Sequence, residues 1–232
     1  MKKAILTACL SLMTTFSYAN IEQVKQHMAT QYPDLEVQNI QPTEMAGLYS
    51  ANIEDQIVFL TADGQYLIAG NAIRLKDQHS LTKELSLKHN RIEWKDLPLK
   101  DAIKTVHGNG KRQLAIFSDP NCPYCKQLEA ELKKLNDVTI YTFILPLKAQ
   151  SVAPSKQVFC ESNPATAWDN LIMRGVAPTN KKACANPIER NLALAKKLGL
   201  NGTPAVIFSN GSKVMGALPA TEIEKIWKSL GL

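Results

Sequence analysis

The sequence lacks both a repeat period and any low-complexity segment, since its 11 glycines and 12 prolines are spread along 232 residues. These absences exclude a repeat solenoid. After residue 19, no segment reaches 18 uncharged apolar residues, which excludes a bundle of membrane-spanning helices. A composition that is 45% hydrophobic and 21% charged instead predicts an ordinary globular chain of one or two domains.

The first nineteen residues are expected to be a secretory signal peptide. Two lysines precede an uncharged apolar stretch over residues 4–16, and Ala19 stands where signal peptidase requires a small residue. Cleavage there would leave Asn20 as the first residue of an exported protein. The alternative is a lipoprotein, because the four residues that end at Cys9 resemble a lipoprotein cleavage box.

The charge of the chain does not indicate a nucleic-acid partner. The formal net charge of +6 includes the two lysines of the expected signal peptide, so +4 remains after its removal. An excess this small, spread over the whole chain, is typical of a solvated surface.

Cysteine usage defines the candidate chemistry. Without Cys9, four cysteines remain, and an even number in an exported protein predicts disulfide bonds. Cys122 and Cys125 form a Cys-x-x-Cys motif, which leaves Cys160 and Cys184 to pair with each other in a structural disulfide. A zinc site would need further ligands at metal-binding spacing, whereas the histidines are scattered. We therefore predict no metal and no cofactor.

The first part of the chain is predicted to be a small α+β domain over residues 20–78. A helix over Ile21–Gln31 precedes four short apolar runs typical of strands, and Asp63-Gly64 indicates a hairpin. Residues 79–90 are polar and are predicted to be a solvated linker, with a short helix that begins at Ser80. The predicted strands lie within residues 37–40, 48–53, 57–61 and 66–73.

Residues 91–232 are predicted to be a second, catalytic domain. Helical and strand patterns alternate along it, and the Cys-x-x-Cys motif falls between a strand and a helix. This order predicts an α/β, thioredoxin-like fold with a helical insertion. Helices are predicted over residues 99–106, 122–135, 151–174, 187–197 and 219–230, and strands over 113–118, 138–145, 205–208 and 213–216.

The placement of Cys122 at the start of a helix predicts a reactive thiol. Unpaired backbone N–H groups and the helix dipole stabilise a thiolate there and lower its pKa. Cys125 lies one turn further on, within disulfide reach and more buried. We therefore predict that Cys122 is the attacking nucleophile and that Cys125 is the resolving thiol.

Four further residues are candidates for substrate binding. Pro204 opens a predicted strand and is preceded by Thr203, which fits a turn position at the start of the strand. In thioredoxin folds this proline is cis and faces the Cys-x-x-Cys motif, which would leave the Thr203 backbone free to pair with an extended substrate chain. Pro123 and Tyr124, between the two cysteines, are expected to influence the reduction potential and to contact the substrate.

In combination, these motifs resemble the DsbC/DsbG family of periplasmic thiol:disulfide interchange proteins. The resemblance implies a periplasmic, V-shaped homodimer whose N-terminal domains are cystatin-like dimerisation modules. It also implies a membrane reductase of the DsbD type, which keeps the active site reduced. The motifs are Phe117-Ser118-Asp119, Cys122-Pro123-Tyr124-Cys125, Gly202-Thr203-Pro204-Ala205-Val206 and Ser209-Asn210-Gly211.

The favoured function is isomerisation of wrong disulfides in misfolded exported proteins. One alternative is a DsbG-like reductase of single oxidised cysteines, since the DsbG type shows Pro-Tyr between its cysteines and the DsbC type commonly shows Gly-Tyr. A second alternative is a redox-independent holdase chaperone that binds unfolded chains.

Overall fold

The computed structural model describes residues 21–54, 56–89, 91–180 and 183–232. The expected signal peptide and Cys9 lie outside the described residues. The chain forms two compact units, which divide between Gly70 and Asn71. Within the described ranges, no helix is long and apolar enough to cross a membrane.

The first unit packs one helix on a four-stranded antiparallel sheet. Val24 and Met28, one helical turn apart, bury their side chains against strand residues such as Ala51 and Leu60. The predicted helix, the strand positions and the hairpin at Asp63-Gly64 are confirmed, except that the fourth predicted strand ends earlier. In chain order, the elements are α1 (Ile21–Gln31), β1 (Val37–Pro42), β2 (Leu48–Ile53), β3 (Gln56–Thr61) and β4 (Leu67–Ala69), and the strands pair in that order.

The segment predicted to be a solvated linker packs on the second unit instead. The predicted short helix is present, and the hydroxyl of Ser80 accepts the N–H of Lys83 at 3.2 Å. Leu87 is only 7% exposed and lies in the core of the second unit. The polar residues around Leu87 made this segment resemble a solvated linker in the sequence. The burial of Leu87 was not predicted, because its packing partners are distant in the chain. The elements are β5 (Ile73–Arg74), β6 (His79–Ser80) and α2 (Leu81–His89). The domain limits 20–78, 79–90 and 91–232 stay predictions.

A mixed five-stranded sheet forms the centre of the second unit. Its order is β11-β10-β8-β9-β7, with β8 and β9 parallel and the other neighbours antiparallel. Side chains of β8 alternate between the two faces, so that Leu114 and Ile116 enter one core and Ala115 and Phe117 the other. The strands are β7 (Ile103–His107), β8 (Arg112–Ser118), β9 (Val138–Ile144), β10 (Ala205–Phe208) and β11 (Lys213–Met215).

Helices cover both faces of this sheet. Leu128 and Trp227 pack on one face, and Ala195 packs on the other. Two helices inserted after β9 form a third core, where Trp168 and Ile172 pack around Cys125. The predicted thioredoxin-like fold with a helical insertion is thus confirmed. The helices are α3 (Pro123–Leu132), α4 (Ala149–Val158), α5 (Pro164–Arg174), α6 (Ile188–Lys197) and α7 (Ala220–Leu230).

The helix predicted over residues 99–106 is wrong. Only Leu99–Asp101 forms a helical turn, of the 3-10 type, and the following residues form the edge strand β7. Ile103 is buried and Lys104 is exposed, the alternation of a strand with one covered face. β7 pairs antiparallel with β9, and this long-range contact decides against a helix in a segment with β-branched residues.

Candidate active site

The candidate site lies between the end of β8 and the start of α3. The buried strand ends at Ser118, a short turn follows, and Cys122 occupies the N-cap position of the helix. Pro123 is the first helical residue, a place where its missing N–H has no cost. The carbonyl of Cys122 accepts the N–H of Lys126 at 3.1 Å, and this hydrogen bond closes the first helical turn.

Cys122 is a half-buried free thiol. Its Sγ donates a hydrogen bond to the carbonyl oxygen of Thr203 at 3.4 Å. Partial burial alone would raise its pKa, but hydrogen bonds outweigh this and lower the pKa below the ordinary value. In decreasing order, these bonds come from the backbone of Cys125, the side chain of Thr203, the thiol of Cys125 and the backbone of Tyr124. The start of the helix therefore favours a thiolate at Cys122.

Cys125 has the opposite character. It is completely buried and also carries a free thiol. Burial raises its pKa to about 12, and the nearby Cys122 contributes in the same direction. The backbone N–H of Asp119 donates to its Sγ at 3.4 Å. Cys125 is therefore protonated at neutral pH and shielded from substrates, so the two thiols of one motif differ in both access and acidity.

The loop before β10, far along the chain from the cysteine motif, completes the site. The Thr203–Pro204 peptide bond is cis, and Pro204 is buried where it precedes β10. In the part of the chain that the structure describes, the N–H and carbonyl of Thr203 make no hydrogen bond with another backbone group. The structure thus brings the Thr203 carbonyl to Cys122, although the two residues are 81 positions apart.

The two residues between the cysteines lie at the surface. Pro123 is exposed, and Tyr124 is 63% exposed. Both flank the half-buried thiol of Cys122 along the first turn of α3, so an incoming chain can reach them.

Asp119 is a central residue of the site, which the sequence analysis quoted within a motif without giving it a role. Its carboxylate is 1% exposed, so each oxygen needs partners. One oxygen accepts the N–H of Asn121 and the hydroxyl of Ser151, both at 2.7 Å. The other accepts the N–H groups of Leu147 at 2.7 Å and Lys148 at 3.2 Å. This carboxylate ties the turn before Cys122 to the start of α4. An acid at the end of a fully buried strand was the signal available in the sequence.

Glu129 is a second residue that the sequence analysis missed. It lies on α3, one turn after Cys125, and accepts the indole N–H of Trp168 at 2.8 Å. Burial raises its pKa to about 7, against the lowering effects of Trp168 and Lys133. Lys133 also forms an ion pair with Asp169 of α5. These contacts attach the cysteine-bearing helix to the helical insertion.

Cys160 and Cys184 are joined by a disulfide bond, with 5.6 Å between their Cα atoms. Cys160 follows the end of α4, and Cys184 lies in the segment before α6. The bond therefore lies within the helical insertion, separate from the Cys-x-x-Cys motif. Within the described ranges, no group of three His, Cys, Asp or Glu side chains is placed to share a metal ion.

Comparison with known proteins gives two family matches that cover most of the chain. Residues 99–231 match the family described as "Thioredoxin-like domain". Residues 15–83 match the family described as "Disulfide bond isomerase protein N-terminal domain". The second match covers α1, all four strands of the first sheet and the beginning of α2.

Curated relatives and a solved structure agree with these matches. The "Probable thiol:disulfide interchange protein DsbC" of Bordetella parapertussis is 34% identical over 88% of this chain and 72% of that protein. The "Thiol:disulfide interchange protein DsbC" of Escherichia coli K12 is 26% identical over 97% of this chain and 95% of that protein. A disulfide interchange protein from Neisseria gonorrhoeae superposes with a TM-score of 0.54, at 38% identity, over 57% of this chain and 97% of that chain. The chain therefore belongs to the DsbC family of thiol:disulfide interchange proteins.

Proposed function

We propose that this member of the DsbC family is a periplasmic disulfide isomerase that acts on misfolded exported proteins through Cys122 and Cys125. The observation that carries the proposal is the contrast between the two thiols. Cys122 is accessible, with a lowered pKa, and Cys125 is completely buried, with a pKa of about 12. This contrast suits Cys122 to attack the substrate disulfide and Cys125 to resolve the mixed disulfide afterwards.

The reaction is a series of thiol–disulfide exchanges. The Cys122 thiolate attacks one sulfur of a substrate disulfide, so that a Cys122–substrate S–S bond forms as the substrate S–S bond breaks. The other substrate sulfur leaves as a thiolate. It can attack a different disulfide of the same chain and finally displace Cys122 from a rearranged substrate. This route involves no net oxidation or reduction.

Cys125 can resolve the mixed disulfide and release the substrate. When its sulfur attacks that of Cys122, a Cys122–Cys125 disulfide forms and the substrate leaves with both thiols reduced. The Cys125 proton passes to solvent or to the departing substrate thiolate. The protein is then oxidised by two electrons and needs a reductant, for which we propose a membrane reductase of the DsbD type.

Thr203, Pro204, Pro123 and Tyr124 are proposed to hold the substrate next to Cys122. The Thr203 backbone is half-buried beside the reactive sulfur and suits pairing with an extended chain. Pro123 and Tyr124 offer exposed contact surface on the helix side. Backbone pairing tolerates many sequences, as a substrate class of diverse misfolded proteins requires.

A homodimer formed through the first unit is part of this proposal. β4 is an edge strand, and all three of its residues are exposed. Tyr66, Leu67 and Ile68 are 65%, 44% and 47% exposed, so an unusually apolar edge faces solvent. Such an edge invites pairing with another strand, and a two-fold axis closes the contact.

A DsbG-like reductase of single oxidised cysteines is the second candidate function, favoured by Pro123 in the motif. The two activities are distinguished by comparing kcat/KM for a scrambled disulfide protein with that for a sulfenylated protein. We expect the wild-type protein to restore the native activity of the scrambled substrate and Cys122→Ala to fail. A clear preference for the sulfenylated protein would contradict the isomerase assignment.

The redox state of the motif in cells provides an independent test. An isomerase needs a free Cys122 thiol, so alkylation trapping should find Cys122 and Cys125 mostly reduced. A mostly oxidised pair would indicate an oxidase. A holdase would suppress aggregation equally well with Cys122→Ala, whereas isomerisation would be lost in the same variant.

A further inference from the structure

A groove of about 420 Å³ opens beside Cys122, on the side of the helical insertion. Cys122 and Pro123 line one end, Pro154 of α4 lines a wall, and Leu171 and Ile172 of α5 lie at its base. The two α5 side chains are 7% and 2% exposed, so the base of the groove is apolar and firmly packed. Apart from Cys122 and Pro123, these lining residues have no role in the exchange reaction proposed above.

The groove also has a polar rim. Lys126 and Gln150, which line it, are exposed on α3 and α4. An apolar base with a few polar groups at its edge, in a volume of roughly 300–1,000 Å³, is the usual character of a ligand pocket. The groove is thus suited to an apolar side chain carried by a polar, extended backbone.

Because Cys122 lines the groove, residues close to the attacked cysteine of a substrate are brought next to it. In a mixed disulfide, the substrate cysteine is bonded to a residue that itself lines the groove. An extended chain advances about 3.3 Å per residue and directs successive side chains to opposite faces. A side chain one or two residues from the attacked cysteine is therefore within reach of the apolar base.

One wall of the groove belongs to the segment that follows α5, where Gly175 and Ala177 line it. At its start, the N–H of Gly175 donates to the Leu171 carbonyl at 3.0 Å, and the N–H of Val176 donates to the Asn170 carbonyl at 3.1 Å. These bonds fix the beginning of the wall to α5.

The other end of the wall is fixed to the end of α4. The N–H of Asn180 donates to the Glu161 carboxylate at 3.0 Å, and its side-chain amide donates to the Cys160 carbonyl at 2.6 Å. The Cys160–Cys184 disulfide then joins the same end of α4 to the chain four residues beyond Asn180. The disulfide thus reinforces the attachment of the segment that carries Ala177.

We propose that this groove binds an apolar side chain of the substrate, one or two residues from the attacked cysteine, and that the Cys160–Cys184 disulfide keeps its wall in place. The inference rests on the proposed function and adds a substrate preference to it. Cysteines of folded exported proteins lie among apolar core residues, which a misfolded chain exposes. The groove would direct Cys122 to such cysteines.

Two peptide disulfides test the proposal, one with leucine and one with serine at the two positions on each side of the cysteine. The full-length protein should reduce the leucine peptide about tenfold faster in kcat/KM, because the groove removes apolar surface from water. Ala177→Phe, which fills the groove, should bring this ratio close to one. Val176→Phe is the matched control: Val176 is 54% exposed and does not line the groove.

A small aromatic disulfide, which has no peptide to place in the groove, should be reduced at the same rate by the wild type and both Phe variants. Replacing Cys160 and Cys184 together with alanine should lower the leucine-to-serine ratio and leave most of the activity on this small disulfide. Asn180→Ala, which keeps the disulfide, should change the ratio in the same direction.

A wild-type ratio near one, or a ratio that Ala177→Phe does not change, would overturn the proposal. A wild-type protein that cannot reduce the small disulfide would instead contradict the proposed exchange function. The two failures are therefore distinguishable.

Discussion

Cys122 and Cys125 are chemically identical side chains on one turn of helix, and their surroundings give them opposite acidities. Hydrogen bonds at the helix start outweigh partial burial at Cys122, whereas burial dominates at Cys125. Reactivity here is a property of position along α3 more than of residue type.

Replacement of each cysteine should separate attack from resolution. Cys122→Ser should abolish thiol exchange, because the remaining thiol is buried. Cys125→Ser should still attack and should accumulate mixed disulfides with substrates, visible as thiol-sensitive complexes on non-reducing gels. If Cys122→Ser accumulates such complexes and Cys125→Ser does not, the assigned roles are reversed.

The acidity of Cys122 can be measured in the Cys125→Ser variant. The rate of alkylation by iodoacetamide should rise with pH through a midpoint below 9.0, the ordinary thiol value, because the folded protein favours the thiolate. Unfolding the same variant in denaturant provides the control, since it should return the midpoint to the ordinary range. A midpoint at or above 9.0 in the folded protein would contradict the assignment of Cys122 as nucleophile.

Glu129 should make the stability of the fold depend on pH. Its pKa of about 7 in the folded state is raised from 4.5, so the folded protein binds this proton more tightly than the unfolded chain. Stability is therefore lost as pH rises from about 4.5 to 7, when a buried charge has to be accommodated.

The isosteric variant Glu129→Gln isolates this effect, since an amide oxygen can still accept the Trp168 indole N–H. Relative to the wild type, its free energy of unfolding should increase between pH 5 and 8, by at most about 3 kcal/mol. Chemical denaturation at several pH values measures the difference. A constant difference across this range would show that Glu129 does not titrate there.

At the scale of elements, the helical insertion depends on the disulfide that joins the end of α4 to the chain before α6. Replacing Cys160 and Cys184 with alanine should lower the free energy of unfolding by about 3 kcal/mol, since the disulfide restricts a loop of 24 residues in the unfolded chain. Most of the exchange activity on small disulfides should remain. Near-complete loss of that activity in a variant that still folds would show that this pair takes part in catalysis.

The elements most readily predicted from the sequence were those whose pattern is local. The continuous apolar run of β8, the Asn163-Pro164 start of α5 and the Asn210-Gly211 turn are each determined by neighbouring residues. β7 was missed because its strand character depends on pairing with β9, far along the chain. The burial of Leu87 also depends on a distant partner, the second unit's core.

In the candidate site, too, the features set by neighbouring residues could be predicted from the sequence, and those set by long-range contacts could not. The helix start at Cys122 and the turn before Pro204 could be located from adjacent residues. The networks of Asp119 and Glu129 could not, because their partners come from α4 and α5 and only the folded chain brings these helices to the cysteines.

At the scale of the whole molecule, the mature protein should be a homodimer through its first unit, and isomerisation should depend on the dimer. One helix and four short strands bury little apolar surface, and β4 leaves an apolar edge exposed. Two catalytic units linked in this way raise the effective concentration of Cys122 near a bound chain. Light scattering at micromolar concentration should give twice the mass of the monomer.

A fragment tests the contribution of the dimer, and the structure determines where it should begin. A start near residue 90 would remove α2, whose Leu87 carbonyl accepts the buried hydroxyl of Ser212 at 2.7 Å. The fragment should instead cover Asn71–Leu232, the compact second unit. It should be monomeric and reduce simple disulfides, yet isomerise scrambled protein poorly. A fragment that isomerises as well as the full chain would contradict the role of the dimer.

The deep burial of Cys125 also has a consequence for timing. In the reduced protein, burial raises the pKa of Cys125 to about 12, so the resolving thiol is protonated and weakly nucleophilic at pH 7. We therefore expect Cys125 to release a reduced substrate slowly. A long-lived mixed disulfide would give the thiols of the substrate time to attack its other disulfides before Cys125 displaces the chain from Cys122.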